Sequence, residues 1–223
     1  MSRPLYFCGD PHGDFSTLLA LVDSPVGTVV IVGDLELPAP VSAVLAPLFA
    51  AGFDVRYIIG NHDFDAGAHQ LLWLTGDKGG HPAGDIHGKV ADLEGVRTAG
   101  LGGVFKGRVW SPKVGPPKYP SRADWMAANR QRWMGGLPLH MRDVIWQEDV
   151  EMLGKQRADV LVTHEGPSSV WKDMGFSVLD DLAEAVGARW LVHGHHHHSG
   201  VSVLSNGIRV KALGIGEIWR FPG

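Results

Sequence analysis

LYFCGDPHGD, residues 5–14, is the stretch on which the reading of the whole chain turns. Its leading residues are apolar without alternation, the pattern of a strand buried on both faces. The run then ends in Asp10 and His12, two metal-capable side chains two positions apart, which an extended backbone directs to one side. The same arrangement returns in TVVIVGDLE (28–36), DVRYIIGNHD (54–63), DVLVTHEG (159–166) and RWLVHGHHHH (189–198). Helix-like segments separate the first three runs. Residues 14–23 open with Asp14 as an N-cap, and the Ala/Leu-rich residues 40–51 are kinked by Pro47. Strand alternating with helix predicts a mostly parallel sheet with helices on its faces. Ligands gather at the carboxyl ends of strands in such sheets, and all five polar clusters fall there.

The middle of the chain is organised differently. Residues 76–88 read as a loop, and 89–103 as a hairpin turning at Glu94 and Gly95. Residues 104–122 (VFKGRVWSPKVGPPKYPSR) are too rich in Pro, Gly, Lys and Arg for a regular element, and a loop of that length is more often functional than idle. Helices are expected over 121–134, capped by Ser121, and roughly over 140–156. A hairpin through Asn206 and Gly207 and a final strand close the chain. No internal repeat or linker interrupts it, so residues 1–223 are read as a single domain.

Composition narrows the classes of function. The 223 residues carry 24 acids against 20 bases, twelve histidines and one cysteine. A net charge of −4 argues against a protein that coats nucleic acid by charge alone, although a local basic groove remains open. One cysteine makes neither an internal disulfide nor a thiolate zinc site, which points to a reducing cytoplasm. No apolar run is long enough to span a bilayer. The run His195–His198 is internal and follows a strand, which sets aside a purification tag.

The strand ends supply Asp10, His12, Asp34, Asn61, His62, His164, His195 and His197. Carboxylate, imidazole and amide oxygen without thiolate suit borderline divalent ions such as Mn, Fe, Zn, Ni or Co. The set is too large for one ordinary site and about sufficient for two. GDPHG (9–13), GD (33–34), GNHD (60–63), TH (163–164) and GHHH (194–197) resemble, in order, the signature of the calcineurin-like metallophosphoesterases. The resemblance implies a four-layer α/β/β/α sandwich and two divalent ions, taken here as Mn first. It places Asp10, His12 and His197 on one ion, Asn61, His164 and His195 on the other, and Asp34 between them with a solvent hydroxide. His62 would face the departing ester oxygen, and Asp63 would orient its loop. His196 and His198 should face away from the ions, His193 is read as buried, and His69, His81, His87 and His140 as ordinary surface or loop residues. Glu165 is read as either supporting the site or solvated.

The chain departs from the protein Ser/Thr phosphatase branch of that family. Its second block reads Gly33-Asp34-Leu35-Glu36-Leu37-Pro38, so the branch's acid partner for the catalytic histidine and its phosphate-binding arginine are both missing locally. This argues against a phosphoprotein phosphatase. It leaves His62 to be oriented by Glu36 or another acid, and it leaves the phosphate to Lys106 and Arg108 or to Lys113, Lys118 and Arg122. Trp110, Tyr119 and Trp125 either stack a base or cover a core edge. The expected activity is metal-dependent hydrolysis of a phosphoric ester, with a phosphodiester or small nucleotide favoured as substrate. The alternatives are a non-catalytic scaffold of the same fold and a nuclease. Two divalent ions would add +4 to the formal −4, so the mild acidity says little about partners.

Overall fold

The computed structural model describes residues 3–223. In chain order the first half forms β1 (Leu5–Cys8), α1 (Ser16–Leu19), β2 (Thr28–Ile31), α2 (Val41–Val44), α3 (Ala46–Ala50), β3 (Asp54–Tyr57), α4 (Ala68–Thr75), β4 (Val90–Leu93) and β5 (Val96–Leu101). The second half forms α5 (Arg122–Ala128), α6 (Gln147–Gly154), β6 (Val160–Thr163), α7 (Ser177–Val186), β7 (Trp190–His193), β8 (Gly200–Val203), β9 (Arg209–Ala212) and β10 (Ile218–Arg220). The five apolar runs are thus β1, β2, β3, β6 and β7. Pro47 lies in the first turn of α3, just after the break between α2 and α3; Asp14 Oδ1 accepts from the Ser16 N–H, but the N-cap of α1 is Phe15 and not Asp14 as expected.

Two sheets result. One has the order β10-β1-β2-β3, parallel except for β10; the other has β4-β5-β6-β7-β9-β8, parallel across its centre with antiparallel β4 and β8 at its edges. Alternate residues of each strand then face different layers. Leu5, Phe7, Val30 and Val32 pack against Val160, Val162, Trp190 and Val192 between the sheets. Tyr6, Cys8, Val29 and Ile31 pack outward against Leu18, Val41, Leu48 and Leu74 of the first helical layer. Leu161, Leu191 and Val210 meet Leu153, Leu179 and Leu182 of α6 and α7 on the far side. Helices, sheet, sheet, helices is the expected four-layer order. Burial on both faces explains why the strands are uniformly apolar.

Three local expectations need correction. Helix α5 begins at Ser121, which caps it with Asp124 in a capping box, but it ends at Ala128, where Asn129 turns to an extended conformation. The helix predicted from 140 starts only at Gln147, because Val144–Trp146 is drawn into a bridge with Val104 and buried. Helices α4 and α7 lie where no helix was expected.

Residues 104–146 are neither a solvated linker nor a strand-helix unit. Val109, Trp110, Trp125, Leu137, Met141 and Trp146 form their own small core, so Trp110 and Trp125 are packing residues and not free stacking surfaces. Arg122 fastens this core to α6. Its guanidinium makes a two-pronged contact with the buried Asp149, at 2.6 and 2.9 Å, and a further bond to Glu148 at 2.7 Å. His87 is part of the same fastening and not a surface residue: Nδ1 accepts from the Gly102 N–H and Nε2 lies 3.5 Å from Asp149.

Candidate metal centre

The loops that follow β1, β2, β3, β6 and β7 converge at one end of the two sheets. They bring all seven sequence-predicted ligands together. Donor atoms of Asp10, His12, Asp34 and His197 lie within 4.8 Å of one another, and so do those of Asp34, His164 and His195. Asp34 belongs to both groups. Asn61 joins the second, its Oδ1 lying 3.1 Å from His164 Nε2.

Hydrogen bonds hold the rings with particular nitrogens free. His164 Nδ1 donates to the Val32 carbonyl at 2.9 Å, which leaves Nε2 directed at Asp34 Oδ2, 3.4 Å away. His12 Nδ1 is engaged by Glu36, which leaves its Nε2 facing His197 Nε2 at 2.8 Å. A ring nitrogen fixed by an acceptor on one side and open on the other is the arrangement by which imidazole ligates a cation. The carboxylates are oriented in the same way. Asp10 Oδ2 accepts from the His195 N–H and Asp34 Oδ1 from the His62 N–H, at 2.6 and 2.8 Å. Their other oxygens, Asp10 Oδ1 and Asp34 Oδ2, are buried with no partner. Buried carboxylate oxygens are costly when unpaired, and two of them aimed into a cluster of imidazoles fit a pair of cations.

The electrostatics fit as well. Burial would raise Asp34, but the adjacent His164 imidazole, 3.4 Å away, and the His62 N–H hold it at about 2. Burial would lower His164, yet Asp34 and Asp10 push it up to about 9. Burial and the neighbouring His164 bring His195 down to about 4, so it is a neutral donor at pH 7. Metal-capable groups therefore compete for protons where a cation would replace them.

Close packing keeps the carboxylates in place. A Cβ on Gly60 would collide with Asp34 Oδ1, and one on Gly194 with Asp10 Oδ1. Asp63 is buried and orders the loop as expected: it accepts from the N–H groups of Gly60 and Leu35, both at 2.7 Å. Burial, then the Asp34 charge, raises its carboxyl to about 6.

His62 stands at the rim, its ring centroid 5.6 Å from that of His12. Its orienting acid is Asp65, whose Oδ2 lies 2.6 Å from Nδ1. Of the two possibilities left by the sequence, Glu36 or another acid, it is the other acid that orients His62, and Glu36 serves His12. The spacing His62-Asp63-Phe64-Asp65 could have revealed this partner, because the turn after Asn61 brings residues three apart together. His193 is buried and neutral: Nδ1 donates to the Gly194 carbonyl while Nε2 accepts from Trp171 Nε1 at 3.2 Å, and burial lowers it to about 3. His196 packs on the same Trp171 ring, 4.5 Å between centroids, and not on the ion cluster. Sequence reasoning passed over Trp171, which lies in a loop without a periodic signal. Glu165 is buried, accepts from the Phe105 N–H at 3.3 Å and lies 3.7 Å from His195 Nε2.

The two substrate candidates are placed less centrally. Lys106 Nζ lies 2.6 and 2.7 Å from the Asp143 carboxylate oxygens, and Arg108 donates to the His140 carbonyl at 2.9 Å. Lys106 nevertheless borders a pocket that Asn61 and Asp65 also line.

Comparison with known proteins agrees with this architecture. Residues 3–199 match the sequence model of the calcineurin-like phosphoesterases, and the chain belongs to that family. It is 36% identical over 198 residues to an uncharacterized protein of Haemophilus influenzae, covering 87% of this chain and 84% of that one. Among solved structures it is similar in fold to a protein of Thermus thermophilus, with a TM-score of 0.59, 14% identity and 99% of both chains covered. It is similar also to a dimetal phosphatase of Danio rerio, with a TM-score of 0.54 and 15% identity over 97% of this chain and 88% of that one. Among the described residues, no helix is long and apolar enough to cross a membrane.

Proposed function

We propose that this chain is a dinuclear metal-dependent phosphoric ester hydrolase, acting on a phosphodiester or small nucleotide. The observation that carries the proposal is Asp34, one buried carboxylate shared by two ligand clusters, with an oxygen left unpartnered between them. Asp10, His12 and His197 would hold one ion, and Asn61, His164 and His195 the other. Two divalent cations held there would supply an activated water and electrostatic stabilisation of the phosphoryl oxygens.

The chain's own residues do the rest. Asp34, carrying negative charge and belonging to both ligand groups, would offset the repulsion between two cations. Asp63 fixes the loop bearing Asn61 and His62, so the ligand and the rim histidine move as one unit. His62, with Nδ1 held by Asp65, presents Nε2 to the oxygen that leaves phosphorus, as a proton donor. A protein-phosphatase activity is not favoured, because Leu37 and Pro38 occupy the positions at which that branch carries its acid and arginine.

Metal analysis together with a hydrolysis screen tests the proposal. The panel holds bis(p-nitrophenyl) phosphate, p-nitrophenyl phosphate, cyclic nucleotides and dinucleoside polyphosphates, each with Mn, Ni, Co and Zn. Two ions per chain and turnover of at least one ester are expected, and Asp34→Asn should lose both ions together with activity. Two bound ions without turnover across the panel would favour a scaffold. An unchanged metal count in the Asp34 variant would refute its bridging position.

A further inference from the structure

His195 and His197 lie in the left-handed region of the backbone, at φ 66° and 53°, which is uncommon for any residue but glycine. Such a conformation persists only where the surroundings over-determine it. On one side the restraint is Asp10, whose Oδ2 accepts from the His195 N–H at 2.6 Å. His197 and His198 are exposed, so the restraint on the rest of the run has to come from the residues before and between the two candidate ligands.

Those residues are His193 and His196, and both meet one side chain. Trp171 Nε1 donates to Nε2 of the buried His193 at 3.2 Å, just ahead of the turn at Gly194. The His196 ring lies on the same indole, with 4.5 Å between centroids and 40° between planes. His196 Nε2 is buried with no hydrogen-bond partner, so no bond from that nitrogen restrains the ring and packing has to. A Cβ on Gly166 would come 2.6 Å from Trp171 Cδ1 and 2.8 Å from His196 Nε2, so both rings close tightly on the Gly166 backbone.

Trp171 is itself fastened. Its loop leaves β6 just after His164 and closes on itself: the Phe176 N–H donates to the Gly166 carbonyl at 3.0 Å and the Gly175 N–H to the Trp171 carbonyl at 2.6 Å. Ser168 Oγ donates to Asp180 Oδ2 of α7 at 2.9 Å, and Lys113 Nζ donates to the Asp173 carbonyl at 2.6 Å. A side chain locked in this way can hold a neighbouring loop in place and does not simply follow it.

We infer that Trp171 is a positioning residue of the candidate metal centre: by holding His193 and His196 it keeps His195 and His197 in the left-handed conformation that places their rings in the two ligand groups. His197 belongs to one group and His195 to the other, so a single indole supports both. Removing it would leave the buried His193 acceptor unpaired and free the His196 ring, while the ligands themselves stay in the chain.

This inference rests on the ligand reading above, and two measurements keep their failures apart. The first is amide hydrogen exchange in the metal-stripped full chain. In Trp171→Leu, which removes both contacts, protection of the His195 and His196 N–H groups should fall while that of β1 and β2 stays unchanged. The second titrates Mn into the same proteins, with free Mn read by electron paramagnetic resonance. Trp171→Leu should weaken both ions roughly tenfold, the lower end of the cost of losing support behind a ligand. Trp171→Phe keeps a ring for His196 but offers His193 no donor, so its loss should be about fivefold, the worth of one hydrogen bond. It carries both comparisons if the leucine variant does not fold. Phe53→Leu is the control for destabilisation alone: Phe53 is buried against Tyr6 ahead of β3, and the variant should lower Tm without changing Mn affinity. Unchanged exchange at His195 and His196 in the Trp171 variants would overturn the inference whether or not any ion binds. So would wild-type Mn affinity in those variants, or an equal loss of affinity in Phe53→Leu. Faster exchange in the variants, with a wild-type chain that binds no Mn, would sink the metal reading and leave the positioning role standing.

Discussion

Asp65 offers the sharpest test of how His62 works. The two side chains meet at 2.6 Å, yet they are 45% and 65% exposed, so solvent screens the pair. An exposed ion pair is worth roughly 0.2–1 kcal/mol. Losing it in Asp65→Asn should cost turnover a factor of about 1.4 to 5, since ~1.4 kcal/mol corresponds to a tenfold change. Removing a positioned proton donor altogether costs about 10²–10⁴-fold, so His62→Ala should fall in that range. The loss should also follow the leaving group. Phenyl phosphate, whose leaving oxygen needs a proton, should suffer more than p-nitrophenyl phosphate, whose leaving anion is stable without one. Because Asp65 acts through His62, the double variant should be no slower than His62→Ala. The assay is steady-state kcat on both esters for the four proteins, with metal content measured in parallel. Additive losses in the double variant, equal losses on both esters, or departure of the ions from either variant would refute the assignment.

Two further outcomes follow from packing and charge. Arg122→Met leaves the buried Asp149 with only the Trp146 N–H and His87; breaking a buried pair costs roughly 3–5 kcal/mol, and the one-third exposure of Arg122 brings this case to about 2. Urea unfolding should record that loss at pH 7, with a fall in Tm of about 4–8 °C. Asp149 lies below its ordinary value, chiefly because His87 and Arg122 outweigh its burial, so its stabilisation is complete above the unfolded pKa near 3.9 and fades as pH falls further. The gap between wild type and variant should therefore narrow in acid, and a constant gap would contradict the ion-pair account. Gly194→Ala places a methyl against Asp10 Oδ1 and Val32, so it should reduce bound metal while circular dichroism stays native. Full metal occupancy in that variant would show that the close approach is not needed.

Strands, layers and the convergence of the candidate ligands were legible because each rests on short-range pattern. An apolar run without alternation says that both faces are buried, and an Asp-x-His or His-x-His pair at its end says where the ligands point. The parts that escaped depend on contacts between distant segments. Helix α7 carries a stop signal that the sequence reading passed over, Gly187 in the left-handed conformation at φ 75°, and is fixed by packing of Leu179 and Leu182 on β6 and β7. Trp146 begins α6 late because the small core of residues 104–146 claims it first. The sequence leaves the partner of His62 open between Glu36 and another acid, because the turns that decide it are not visible there. Folding sends Glu36 to His12, and the nearby Asp65 takes the vacant role. His87, dismissed as ordinary, carries no sequence mark of the Arg122–Asp149 pair, which lies far along the chain.

The backbone adds a reason to regard the seven candidate ligands as one cluster. Among the described residues, seven that are not glycine have positive φ, and four of them are His12, Asp34, His195 and His197, at 45°, 46°, 66° and 53°. A fifth is Glu36, which holds His12. A side chain in this region costs of order 1–3 kcal/mol and persists only where the surroundings over-determine it. Here the restraints are visible: the Asp10 carboxylate receives the His195 N–H, and the His12 and Gly13 N–H groups reach the carbonyls of Asp34 and Leu35. These bonds tie the first, second and fifth loops to one another before any cation arrives. They also leave Asp10 Oδ1 and Asp34 Oδ2 without hydrogen-bond partners and bring His12 Nε2 within 2.8 Å of His197 Nε2, where one ring nitrogen must carry the proton that a cation would displace. Backbone strain and buried carboxylate oxygens gathered at one point, offset only by neighbouring imidazoles, suit a preformed cation site: the fold bears the cost of assembly, and binding would recover part of it.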